Sequence, residues 1–120
     1  MKKPKIWFII EMARGDLEEQ AMTISAGERL DLDEIYFTVK KRYDDTAFCF
    51  QKRLSTGGIK PLNPEYNEYL LRIEPEDTNK MQFGKEYVCD VEIYKDGEIV
   101  KTFNGKLLLG EEVTTARDEL

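Results

Sequence analysis

Histidine is absent from the 120 residues, cysteine occurs twice and tryptophan once. Without an imidazole there is nothing to activate a serine or cysteine nucleophile in the usual way, to pass protons near neutral pH, or to join a zinc site. Two cysteines cannot complete a four-ligand zinc site unless carboxylates fill in. Long apolar stretches are also missing, since nothing approaches the roughly 18 apolar residues that cross a bilayer as a helix. The run Ile6-Trp7-Phe8-Ile9-Ile10 follows a basic start, but Glu11 closes it after five residues. A secretory leader needs a core of about 7–15, so none is expected. Arg117-Asp118-Glu119-Leu120 imitates an ER retrieval tail, which acts only on a chain already inside that compartment. The chain has no G-x-S-x-G elbow, and Gly57-Gly58 lacks the spacing of a phosphate loop. A basic excess is missing too. Lysine and arginine number 18 against 24 acidic residues, a net charge of −6, which disfavours a general binder of nucleic-acid phosphates.

What remains is the composition of one globular domain: 41% hydrophobic and 35% charged residues, in a chain long enough to bury a core without staples. Alternation with a period of two dominates, and short apolar runs end in turn residues. Strands are expected over residues 6–11, 17–25, 34–43, 46–54, 67–74, 85–95, 98–103 and 106–109. Ile35, Phe37 and Val39 share one face, as do Tyr69, Leu71 and Ile73, and Tyr87, Cys89, Val91 and Ile93. Phe48 and Phe50 alternate with Cys49, and Met22 shares a face with Ile24. Asp96-Gly97 is a strong hairpin signal and Asn104-Gly105 reads as a second turn. Pro61 and Pro64 argue against ladder pairing through 59–65. Pro75-Glu76-Asp77-Thr78 starts one helical turn with proline in first position. Seven or eight short strands, spaced about 8–12 residues apart, pack as an antiparallel sandwich or a small open barrel.

Each candidate site has a plainer structural account. Arg14-Gly15-Asp16 is the triplet that integrins read, yet it stands where a strand needs a glycine turn. Asp31-Leu32-Asp33-Glu34 offers oxygens for calcium without the central glycine and closing glutamate of an EF-hand loop, so it reads as a solvated lead-in to a strand. Asp44-Asp45 is a turn, and Lys40-Lys41-Arg42 guards a strand edge. Cys49 and Cys89 are expected to stay reduced, on opposite strand faces. Trp7 sits in an apolar run that reads as buried. Catalytic, cofactor and metal residues are therefore expected to be none.

Three segments taken in order carry a resemblance. They are the apolar strand running into Arg14-Gly15-Asp16; residues Leu30 to Lys40; and Ile73 to Thr78, continuing through Phe83-Gly84-Lys85-Glu86-Tyr87, Asp90-Val91 and Asp96-Gly97 to Gly105 and Glu112-Val113-Thr114. Together they resemble the small β-sandwich proteins of prophages in Gram-positive bacteria, in particular the N-terminal domain of phage baseplate upper proteins. The resemblance implies an all-β fold, a single antiparallel immunoglobulin-like β-sandwich of seven or eight strands with at most one short helical turn near residues 75–81. It places an N-terminal extension at 1–5, the sandwich at 6–114 and a flexible tail at 115–120. It implies a non-enzymatic structural or accessory virion protein of the baseplate or tail. Such a protein is made in the host bacterial cytoplasm and carried in the virion once assembled. Its partners would be other phage structural proteins or copies of itself, with no nucleic acid and no membrane, and Tyr36, Tyr43 and Tyr94 would be half-exposed aromatics suited to such contacts. The alternative is a ligand-binding module on the same scaffold, for instance for host-surface carbohydrate.

Overall fold

The computed structural model describes residues 5–82 and 84–110. The tail expected at 115–120, the end of the sandwich expected to reach 114, most of the N-terminal extension and Phe83 lie outside the described residues. Among the described residues eight strands form two sheets. They are β1 (Ile6–Ala13), β2 (Glu18–Thr23), β3 (Glu34–Lys40), β4 (Phe50–Arg53), β5 (Ile59–Asn63), β6 (Glu68–Ile73), β7 (Lys85–Lys95) and β8 (Glu98–Gly110). One sheet has the order β1-β8-β7-β3-β4 and the other β2-β6-β5. The helical turn is α1 (Pro75–Thr78), and a 3₁₀ turn at Pro64–Tyr66 adds to it.

The alternation seen in sequence becomes the core. Ile35, Phe37, Val39, Leu71, Ile73, Val91, Ile93, Leu107 and Leu109 are all buried between the sheets. The side chains between them on β7 (Val88, Asp90, Glu92, Tyr94) stay partly exposed on the outer face, as expected of a strand with one wet side. Tyr87 pins the start of β7: its hydroxyl accepts from the Gln82 amide at 2.9 Å and donates to the Gln82 carbonyl at 3.2 Å. A tyrosine two residues before a buried cysteine, bonded back to upstream backbone, is the corner found in immunoglobulin-type sandwiches. At α1 the Asp77 carboxylate accepts from the Glu74 amide at 2.7 Å, which satisfies a donor the helix leaves open. Asp77 also meets Lys52 Nζ at 2.5 Å.

Four expectations are corrected. β5 does pair with β6, through Ile59, Lys60, Pro61 and Asn63. It is an edge strand, so only alternate N–H groups are needed, and a bulge after Pro61 absorbs the misfit. Asn104-Gly105 does not turn, and β8 runs unbroken from Glu98 to Gly110. The pairing is not wholly antiparallel, because β1 lies parallel to β8. These two strands are not joined by a hairpin, so no turn dictates their relative direction. Phe48 is 51% exposed rather than facing the core beside Phe50. β4 begins only at Phe50, and both the Phe50 pairing and the Cys49 amide fall on Val39, so the alternation does not extend back to Phe48.

Candidate functional site

The candidates taken from the sequence have definite places except Arg117–Leu120, which lies outside the described residues. Lys40-Lys41-Arg42 does not guard a sheet edge as expected, because Lys40 ends β3, which pairs with β4 on one side and β7 on the other. Arg14-Gly15-Asp16 closes the crossing from β1 to β2. Gly15 adopts φ 82°, its amide donates to Thr78 Oγ1 at 2.8 Å, the Arg14 amide reaches the Gly110 carbonyl at 3.2 Å and the Asp16 amide the Ala13 carbonyl at 3.2 Å. The triplet is a tethered turn. Asp31 and Asp33 both face Lys95, at 2.9 and 3.9 Å, and Asp33 also accepts from the Asp96 amide at 2.7 Å. The Lys95 hydrogen bond holds the Asp31 carboxyl below its ordinary range. Burial pushes the Glu34 carboxyl up, but hydrogen bonds from Ser55, Ile35 and Leu54 outweigh it and the net direction is down. These carboxylates hold a loop together. Asp45 completes a turn, with its amide on the Arg42 carbonyl at 3.2 Å.

Cys49 and Cys89 are both free thiols. All of β3 stands between them, with Val39 paired to Phe50 on one side and to Cys89 on the other. Two strand spacings, about 9.6 Å, exceed the roughly 7 Å that a disulfide spans between Cα atoms. Burial pushes the Cys89 thiol up to about 12, so it remains protonated and inert.

The outer face of the five-stranded sheet carries an aromatic and charged cluster. Tyr36 and Tyr94 meet edge to face at 4.9 Å, and the Arg53 guanidinium lies 5.0 Å from the Tyr36 ring centre. Both tyrosines are half-buried and Tyr43 is exposed. Asp90 stands on the same face, opposite Thr38 on β3 and Asn104 on β8. Its Oδ1 is buried with no hydrogen-bond partner. Burial and the neighbouring Glu92 raise its pKa from 3.8 to about 6 against the pull of Lys40. The folded form thus holds this proton more tightly than the unfolded form. No penalty exists below about pH 3.8, where both forms are protonated; it grows as pH rises and is complete above about 6. Asp90→Asn is therefore expected to stabilise the protein by about 1 kcal/mol at pH 8, after discounting for solvent at this half-exposed site. The gain should vanish near pH 4 when urea unfolding is compared at the two values. A gain that persists at low pH would contradict the assignment.

The remaining feature is one the sequence reading placed wrongly. Trp7 is 55% exposed and Ile9 57% exposed, side by side on β1. β1 is an edge strand of a sheet with one wet face, so residues 7, 9 and 11 point outwards while Phe8, Ile10 and Met12 point in. The signal was present: Glu11 marks the outer parity and Trp7 shares it. Lys5 rests its ammonium 4.1 Å from the indole centre, and Phe103 meets the indole edge to face at 5.7 Å. Beneath β1 the two sheets part, leaving an open cleft of about 330 Å³ between the edges β1 and β2, lined by Phe8, Ile10, Met22, Ile24 and Phe103 among others.

No protein-family model and no curated protein matches the chain. Among solved structures it is similar to the NK cell receptor Nkp44, described as a triggering partner in natural cytotoxicity, with a TM-score of 0.52 and 12% sequence identity. The match covers 89% of this chain and all of that one. The fold is an immunoglobulin-like β-sandwich. Among the described residues no helix is long and apolar enough to cross a membrane.

Proposed function

We propose that this sandwich is a non-enzymatic structural or accessory component of a phage particle, acting through protein–protein contacts in a baseplate or tail. It is made in the bacterial cytoplasm and carried in the assembled virion. The observation that carries the contact reading is the exposed pair Trp7 and Ile9 on an open sheet edge, since large apolar side chains grouped at an edge mark an interaction surface. The virion setting rests on the sequence resemblance to baseplate upper proteins. The aromatic cluster of Tyr36, Tyr94 and Arg53 is a second exposed feature of the same sheet, and aromatic and arginine side chains are enriched at interfaces.

A ligand-binding module is the second reading, favoured by the open cleft beneath β1. Its lining is mostly apolar, with Gln20 and Thr23 among it, and Lys5 covers the Trp7 ring, so a carbohydrate stacked on that indole is less suited to it than a largely apolar ligand. Mass spectrometry of gradient-purified particles from an induced lysogen separates the readings. The virion reading expects recovery in fixed proportion to known particle proteins. Absence from intact particles would overturn it and favour the ligand module.

A further inference from the structure

We infer that β1 is a homotypic docking edge: two copies of the chain pair antiparallel through β1 about a two-fold axis at Phe8. This deepens the contact reading above, and it fails separately from that reading.

The four sheet edges are not alike. β4 is four residues long and carries Gln51, Lys52 and Arg53. β5 has Lys60, Pro61 and a bulge. β2 begins with Glu18 and Glu19. Short length, charge, proline and bulges are the devices that keep sheet edges from pairing. β1 has eight residues, no proline and one charged residue, Glu11. Its one irregularity is the bulge against β8 at Trp7, and the indole is exposed on the outer face. Among the described residues no strand lies on its outer side.

The occupant is chosen by the order of residues along the edge, Lys5-Ile6-Trp7-Phe8-Ile9-Ile10-Glu11. In an antiparallel pair, residues directly opposite share a face. An axis at Phe8 sets Trp7 opposite the partner's Ile9, and Lys5 opposite the partner's Glu11, each pair occurring twice. On the other face Phe8 meets the partner's Phe8 over the mouth of the cleft. Moving the axis to Ile9 would set Trp7 against the partner's Glu11 and remove the charge pairing. The edge is therefore self-complementary in one register, in charge and in apolar shape, as an isologous contact requires.

Analytical ultracentrifugation of the full chain from about 5 to 500 μM tests this, with dissociation expected on the order of micromolar for so small a contact. Ile9→Lys, on an exposed side chain, should weaken the dimer about a hundredfold. Lys5→Glu and Glu11→Lys should each weaken it about tenfold by setting like charges opposite one another twice, and the double reversal should return it to within about threefold of the parent. Thermal melting unchanged from the parent, at a concentration where the parent is monomeric, confirms that each variant is folded. A parent that stays monomeric, a dimer indifferent to Ile9→Lys, or a double reversal no better than either single would overturn the inference. A monomeric parent that nevertheless appears in particles would sink the homotypic edge alone; a dimer never found in particles would sink the virion reading alone.

Discussion

Asn67→Ala is expected to lower the unfolding free energy by about 4 kcal/mol, the largest effect of any single substitution considered. Asn67 is fully buried in the left-handed region at φ 61°. Its Oδ1 accepts from the Leu30 amide at 2.6 Å, and its Nδ2 donates to the carbonyls of Ser25 at 3.2 Å and Glu28 at 2.9 Å. Its own carbonyl accepts from the Ile24 amide at 3.0 Å. One side chain thus satisfies three backbone groups of the loop between β2 and β3 and ties them to the start of β6. Truncation leaves those part-buried groups without their side-chain partner, each costing about 1–3 kcal/mol less whatever water recovers. Alanine in a left-handed conformation adds about 1 kcal/mol of strain. Asn67→Gly removes the strain but not the lost bonds, so it should fall about 1 kcal/mol short of the alanine cost. Urea unfolding of both variants checks this, and an alanine cost below about 1 kcal/mol would show that the loop does not depend on the clamp.

Gly105→Ala is expected to cost about 2 kcal/mol, from steric overlap rather than backbone conformation. A Cβ at this position would stand 2.5–2.7 Å from three atoms of the Phe8 ring. Phe8 packs against the core from β1, directly opposite Gly105 on β8. The ring must therefore swing towards the open cleft and give up contact with the core. Phe8→Leu shortens the clashing side chain, and its own cost of about 1 kcal/mol comes from lost burial. Combined with Gly105→Ala, the two should cost about 1 kcal/mol less than their sum, the coupling that a double-mutant cycle by chemical denaturation reads. Strict additivity would mean that Phe8 and Gly105 do not constrain one another.

These two positions also show where sequence legibility ends. β3 and β7 were readable because each has a long alternation with one wet face, and their inward residues are those found buried. Asn104-Gly105 carries a strong local turn signal, yet the glycine is needed for close approach of a ring nearly a hundred positions earlier. Asn67 bonds to Leu30, 37 positions away, a relation that no local pattern encodes. Pro61 is tolerated because β5 lies at the edge of its sheet, and strand order is not written in periodicity. Trp7 was misplaced because five apolar residues in a row read as buried on both sides. The wet outer face of the five-stranded sheet is what makes their alternation matter.

That edge is also what the functional account rests on. If β1 is where this sandwich meets its neighbours, its outer side chains should matter in the particle and not in the fold. The most direct measurement is the copy number of the chain in purified particles from a lysogen carrying Ile9→Lys, set beside the parent. The expected result is a parent present in fixed proportion and a folded variant depleted about tenfold or more, because a lysine ammonium would have to be buried at the contact. Equal copy numbers for parent and variant would contradict a role for the β1 edge in assembly.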